Sequence, residues 1–412
     1  MRHDRRALAP AVLVAPLRAA LNHSIPSTAA LWRPFVRHAP QGARKDTMTD
    51  NSPESSEGSN EATLARSQAR SDKVEADLAT HPGKWRILTG DRPTGKLHIG
   101  HYFGSLANRV RLQNLGVESF LVIADYQVIY DRDGVGDIQE NVLSGVADYL
   151  AIGIDPARTT IFTHSALPAL NQLLLPFLSL VTDAELRRNP TVKDELATSQ
   201  RPMSGLMLTF PVHQAADILF CKANLVPVGK DQLPHIEQTR VIARRFDERY
   251  GRVDPEHPVF PEPEALLSAT PHVLGLDGTK MSKSRGNTIE IGMTADQTAK
   301  LIKKAKTDAE RHISYDPDSR PEVSNLVLLT ALCEGSDPLT VAEEIGDGGS
   351  GTLKKRLTAS MNDYFAPIRA RRAEVAADEG YLRSVLRDGN ERAGAVADQT
   401  LDEVRRAMKM VY

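Results

Sequence analysis

Gly90-Asp91-Arg92-Pro93-Thr94-Gly95-Lys96-Leu97-His98-Ile99-Gly100-His101 is the stretch on which the reading of this chain turns. It follows Trp85 to Thr89, which reads as a short strand, and it leads into a helix starting near Leu97. Open α/β sheets take ligands at the carboxyl ends of their strands. A helix N-terminus placed there favours anionic phosphate. Gly90, Gly95 and Gly100 let backbone approach a nucleotide closely. His98 and His101 can point at one phosphate and donate hydrogen bonds to charge that grows in a transition state. Taken alone, the stretch also reads as a glycine turn with two surface histidines. It lacks the Gly-Lys-Ser/Thr ending of a Walker loop, so P-loop chemistry is not indicated.

Downstream, strands and helices alternate. Phe120 to Ala124 is a continuous apolar run, as expected for a strand buried on both faces. Asn141 to Ile152 has helical periodicity and stops at Gly153, with a turn at Asp155-Pro156. Thr160 to Thr163 and Leu225 to Val228 read as further short strands, the latter followed by a helix from Asp231 to about Tyr250. The alternation predicts a parallel sheet with crossover helices. From about Thr294 only helices are read, over Leu301–Lys306, Val323–Leu332, Leu353–Asp378 and Thr400–Met410. The expected architecture is therefore α/β: a Rossmann-like doubly wound parallel sheet over residues 83–293, then a C-terminal all-helical domain over 294–412.

Residues 1–82 differ from the rest. The first 47 are rich in Arg and Ala and nearly free of acid, and 49–80 are rich in Ser, Glu, Asn and Ala. Such a segment offers little apolar surface against its chain entropy and is expected to be disordered. An Arg-rich, acid-poor start fits a transit peptide; the second methionine, Met48, makes an upstream start-site artefact an equally good reading.

Composition narrows the class. The chain of 412 residues has a formal net charge of -2, which excludes a uniformly basic nucleic-acid binder while allowing local basic patches. No apolar run approaches a bilayer span, so no membrane role is expected. Cys221 and Cys333 are far apart with no ligand spacing, so neither a disulfide framework nor a metal site is expected, and a reducing compartment, the cytoplasm, fits.

A second motif, Lys280-Met281-Ser282-Lys283-Ser284, follows a loop holding Gly275, Asp277 and Gly278. Two lysines three apart with small polar residues between them suit a clamp on triphosphate; a solvated basic loop is the plainer reading. Together the two motifs decide the matter. His98-Ile99-Gly100-His101 followed about 180 residues later by Lys280-Met281-Ser282-Lys283-Ser284 resembles the HIGH and KMSKS signatures of the class I aminoacyl-tRNA synthetases. From Trp85 onward the chain resembles the tryptophanyl-tRNA synthetases. The further matches are Gly153-Ile154-Asp155-Pro156, Ala215-Ala216-Asp217-Ile218-Leu219 and Val226-Pro227-Val228-Gly229-Lys230-Asp231-Gln232, with His235-Ile236-Glu237.

The resemblance implies activation of L-tryptophan with ATP and Mg²⁺, transfer to tRNA(Trp), and a homodimer. It implies ATP contacts from Arg92, Pro93, Thr94, Gly100, His101, Gly229, Lys230, Asp231 and Val273, and from Lys280, Met281, Ser282, Lys283 and Ser284. His98, His101, Lys280 and Lys283 are the implied catalytic groups. The aspartate matching Asp217 accepts a hydrogen bond from the indole N–H, which is chemically apt because indole offers one donor and no acceptor. Leu88, Val226 and Val228 wall the implied indole pocket, with Gln127, Gln214 and Gln232 near the amino acid.

The chain departs from the family at several points. His101 stands where Asn is commoner, Gln127 where His is often found, Phe210 for a common Tyr, Gln214 for a common Met and Lys230 for an acidic residue. These changes resemble the divergent, auxiliary branch and put detailed pocket contacts in question. Lys354, Lys355, Arg356, Arg371, Arg372, Arg405, Arg406 and Lys409 are candidate tRNA phosphate contacts on the C-terminal helices. Three other readings stay open: a tyrosyl-tRNA synthetase, a small nucleotidyltransferase, and a non-charging paralogue that senses tryptophan or binds a partner.

Overall fold

Apolar strands of four to six residues line up in parallel to form a five-stranded sheet of order β3-β2-β1-β4-β5. The computed structural model describes residues 54–130, 134–193, 202–250, 258–268, 273–282 and 285–412. The strands are β1 (Arg86–Asp91), β2 (Glu118–Ile123), β3 (Thr159–Thr163), β4 (Leu225–Val228) and β5 (Glu264–Leu267). β1 pairs with both β2 and β4, so the strand order reverses beside it. That reversal opens a crevice at the carboxyl ends of β1 and β4, where ligands of such sheets bind. The sequence reading locates β1 to β4 within a residue or two. It misses β5, a four-residue edge strand closely preceded by Pro261 and Pro263.

Side-chain alternation along β2 splits the interior. Leu121 and Ile123 enter one apolar core, Phe120 and Val122 the other. The first core is covered by α2, a continuous run of Ile99–His101, a π turn Tyr102–Leu106 and Ala107–Leu115, and by α3 (Ile138–Ile152). The second is covered by α4 (Pro168–Leu178), α6 (Gly205–Leu219) and α7 (Leu233–Tyr250), with the short α5 (Asp183–Arg188) beside α6. The sequence reading assigns no element between 164 and 224. Pro176 inside α4 and Pro211 inside α6 interrupt the helical pattern there.

The C-terminal end is helical as expected: α8 (Ala295–Lys304), α9 (Pro321–Glu334), α10 (Pro338–Ile345), α11 (Gly349–Ala376) and α12 (Glu379–Ala407). It does not stand apart from the sheet. One apolar core runs from Leu97 and Ile161 through Val327, Leu357 and Phe365. α12 lies against β3, with Gly389 so close to the Ile161 carbonyl that no Cβ fits, and Asn390 Oδ1 accepts from the Thr163 N–H at 3.0 Å. Arg372 donates to Asp148 at 2.5 Å and Arg371 to the Ala151 carbonyl at 2.9 Å. Arg356 is paired with Glu334 and Glu344. These arginines tie the helices together within the chain, whereas Lys355, Arg406 and Lys409 are exposed.

The expected transit peptide or start-site artefact lies outside the described residues. The disorder expected up to residue 82 is corrected for its second part, where Glu54–Thr80 forms a helix, α1. Val74 and Leu78, four apart on one helix face, are buried against Trp85, Ile87, Leu112, Val117, Leu225 and Leu266. The Ser71 hydroxyl accepts the N–H of Leu267 at 2.9 Å, Arg111 reaches Glu75 at 2.6 Å, and Asp77 accepts from Lys84 and from the Trp85 indole. The segment is polar on average, yet a narrow apolar stripe is enough to dock it.

Candidate active site

β1 delivers the first motif to the crevice. Gly90 sits where a Cβ would collide with Val122 of the neighbouring strand. Asp91 ends β1 and is fixed by two groups from adjoining helices: Arg109 of α2 at 2.5 Å and the Tyr149 hydroxyl of α3 at 2.7 Å. Burial pushes the Asp91 carboxyl up, but the Arg109 guanidinium, together with His101 and the Tyr149 hydroxyl, offsets this and holds it below the usual range. Arg92 follows, its guanidinium 5.5 Å from the centre of the Tyr130 ring.

His98 and His101 open α2. Their rings stack with centroids 3.6 Å apart, and His101 Nδ1 accepts the backbone N–H of His98 at 3.2 Å. The spacing of three within one helical turn forces this pairing. The π turn that follows at Tyr102–Leu106 is a rare distortion that concentrates at functional sites.

The second motif is brought to the first through backbone. Ile99 N–H donates to Ile289 C=O at 2.9 Å and Ile291 N–H to Leu97 C=O at 3.0 Å. Met281 packs against Gly100: a Cβ there would lie 3.0 Å from the Met281 sulfur. The loop itself is organised by Asn287, whose amide donates to Asp277 at 2.8 Å and to the Lys280 carbonyl at 3.2 Å while its oxygen accepts the Ser282 N–H at 2.8 Å. Asn325 clips the Leu274 backbone from α9. The Lys280 side chain is exposed. Lys283 and Ser284 lie outside the described residues.

A cleft of about 370 Å³ occupies the crevice. Every residue expected around the amino acid lines it: Leu88, Gln127, Gln214, Asp217, Val226, Val228 and Gln232. Of the expected ATP contacts, Arg92 and Gly229 line it. Pro93, Thr94, Gly100, His101, Lys230, Asp231, Val273, Lys280, Met281 and Ser282 stand outside its lining. Val273 is buried, and Lys230 and Asp231 are exposed at the mouth of α7, where Asp231 accepts from the Gln232 amide at 2.9 Å.

Asp217 is only 3% exposed, on α6. Its Oδ1 lies 2.9 Å from His164 Nε2, an ion-pair contact off the axis of an aligned hydrogen bond, and its Oδ2 accepts from the Gln127 amide at 3.4 Å. The His213 ring meets that of His164 edge-on at 4.9 Å. Burial disfavours the charged form of both histidines. Asp217 outweighs this for His164, whose pKa is raised, while His213 is lowered. Burial also pushes His235 down to about 4. His164, His213 and Asp217 bring one ligand atom each within 4.8 Å of the others, a set that could hold a metal and that the sequence reading does not foresee.

Arg109, Tyr149, His164, His213 and Tyr130 all escape the sequence reading. Arg109 lies 18 residues from Asp91 and Tyr149 lies 58 away, so only the sheet's crossovers bring them together.

Comparison with known proteins accords with this geometry. Residues 81–366 match the model of the family described as tRNA synthetases class I (W and Y). A tryptophan--tRNA ligase from Clostridium longisporum is 42% identical over 79% of this chain and 97% of its own length. One from Streptococcus pyogenes serotype M3 is 42% identical over 79% of this chain and 98% of its own. Among solved structures, the tryptophanyl-tRNA synthetase from Campylobacter jejuni, complexed with ADP and tryptophan, aligns at a TM-score of 0.68 with 29% identity, covering 79% of this chain and 99% of that one. On a family match that covers most of its length, the chain belongs to the class I tRNA synthetases (W and Y).

Proposed function

We propose that the chain is a tryptophan--tRNA ligase, which activates L-tryptophan with ATP and passes it to tRNA(Trp). The observation that carries the choice of amino acid is Asp217, a buried carboxylate facing the cleft among Leu88, Val226 and Val228. Apolar walls with one buried acceptor suit a flat ring system that carries a single N–H donor.

The substrate carboxylate is ionised at neutral pH and attacks the α-phosphorus of ATP directly, expelling pyrophosphate, so no general base is required. Alignment and charge stabilisation then make up most of the catalysis. In this reading His98 and His101 meet the α-phosphate. Lys280 and Lys283 meet the departing pyrophosphate, with Mg²⁺ entering as part of the nucleotide substrate. Arg92, Thr94 and Gly229 to Asp231 hold the nucleotide, and Gln127, Gln214 and Gln232 orient the amino acid. The exposed Lys355, Arg406 and Lys409 are the C-terminal candidates for tRNA phosphates. Assembly as a homodimer completes the proposal. No described helix is long and apolar enough to cross a membrane, and the two free thiols, Cys221 and Cys333, suit a reducing cytoplasm.

Pyrophosphate–ATP exchange with each proteinogenic amino acid is the test. Tryptophan alone should support exchange; tyrosine as the preferred substrate would overturn the assignment.

A further inference from the structure

Asp217 faces the cleft but is not alone there. It leaves α6 beside a histidine whose side chain is fully buried, and that histidine has no part in the mechanism above. We propose that His164 is a positioning residue for Asp217: it carries the counter-charge that holds this carboxylate towards the cleft, and its proton sets the affinity for the amino-acid substrate. This rests on the reading of Asp217 as the indole acceptor and deepens it.

The geometry is specific. His164 sits directly after β3, in the short turn His164–Ala166, and reaches across to α6. Its Nε2 is 2.9 Å from Asp217 Oδ1. The opposite carboxylate oxygen is held by Gln127, from the turn after β2. The carboxylate is thus gripped from two strand ends, which restricts its rotation. A buried carboxylate without a counter-charge is strongly disfavoured. His164 supplies one without taking the space of the cleft.

Charged and titratable groups face His164 from two elements. Asp217 and His213 face it from α6, and Asp125 acts on it from the end of β2. Asp125 is itself engaged by the Ser165 hydroxyl and by the backbone N–H groups of Ser165 and Tyr126. Two carboxylates raise His164, whereas burial lowers His213, so of the two histidines His164 is the one favoured to carry a proton. A metal is the competing occupant of the same residues. Ligand atoms around tetrahedral zinc, with bonds of about 2.0–2.1 Å, sit roughly 3.3 Å apart. The 2.9 Å contact between His164 and Asp217 is shorter and fits an ion pair better.

The sign follows. With His164 charged, Asp217 is balanced and fixed. As pH rises above the ordinary histidine value of 6.5, through the raised value of His164, the counter-charge is lost and the substrate binds less well.

The experiment measures KM and kcat for tryptophan activation between pH 6 and 9 in wild type and His164→Gln. The same two proteins are assayed with the tryptophan analogue that has sulfur in place of the indole N–H. Wild type should show a KM that climbs with pH. His164→Gln should raise KM at pH 7 by roughly five- to tenfold, keep kcat at saturating tryptophan within about twofold, and retain only the substrate's own ammonium titration. The sulfur analogue should not distinguish the two proteins. Identical KM and pH profiles in both would overturn the proposal. So would stoichiometric binding of added Zn²⁺ to wild type that is lost in His164→Gln. If Asp217→Ala weakens tryptophan while His164→Gln is silent, only this inference fails. If wild type does not activate tryptophan at all, the functional reading fails with it.

Discussion

The two ends of the active site are built on opposite plans. The end proposed for the amino acid is walled by sheet residues and closed by Asp217, 3% exposed and contacted by His164 and Gln127. The lysine-bearing loop at the other end presents Lys280 to solvent, and it is tied together by one asparagine, Asn287, bonded to Asp277 and to the backbone of Lys280 and Ser282. Recognition of one side chain among many needs groups fixed before the ligand arrives, because a misplaced acceptor discriminates poorly. Charge that appears only as pyrophosphate departs is better met by a cation kept hydrated until then. The contrast therefore separates ground-state selectivity from transition-state stabilisation.

Four substitutions test that separation, ordered by their expected effect on the reaction. Lys280→Ala should lower the adenylation rate by roughly 100-fold or more while leaving tryptophan affinity nearly unchanged; single-turnover kinetics with an independent binding titration would show it. Equal losses in rate and affinity would erase the distinction between the two ends. Asp217→Ala should do the reverse, weakening tryptophan by roughly 10- to 100-fold and eroding discrimination against phenylalanine, with ATP binding intact. A double cycle against the sulfur analogue measures whether the N–H is what Asp217 reads, and zero coupling would reopen tyrosine. Asn287→Ala, which unties the loop without removing a lysine, should slow adenylation roughly tenfold with no change in KM for tryptophan. Leu78→Ala in α1 should leave the reaction unaltered at 25 °C while costing about 2–5 kcal/mol of stability in a denaturant melt. An unchanged melt would mean that α1 is not docked through Leu78.

The same contrast explains what could be read in the chain beforehand. Strands β1 to β4 were legible because a strand buried on both faces leaves a continuous apolar run, as Phe120 to Ala124 does. The cleft lining was legible through resemblance: Leu88, Gln127, Gln214, Asp217, Val226, Val228 and Gln232 do meet in one cavity. What stayed hidden was whatever depends on separation in sequence. His164 and Asp217 become partners only because β3 and α6 end side by side, and no local pattern encodes that. α1 stayed hidden for another reason, since composition averages over a helix whose docking face buries Val74 and Leu78 among many polar residues.

The seat of α12 against β3 has a consequence for how the protein is made. Asn390 holds the backbone of Thr163, the residue immediately before His164, across a gap of 227 positions. Further along the same helix, Ala393, Ala397 and Leu401 join the apolar core beneath α6, and the Thr400 hydroxyl donates to the Phe220 carbonyl at 2.6 Å. As the chain emerges from the ribosome, β3 and α6 are synthesised long before the helix that braces them. Contacts so distant in sequence form late and leave apolar surface uncovered meanwhile. The end of the cleft proposed for the amino acid is thus among the last parts to be braced. A nascent chain arrested before α12 would leave the faces of β3 and α6 that this helix covers without their brace.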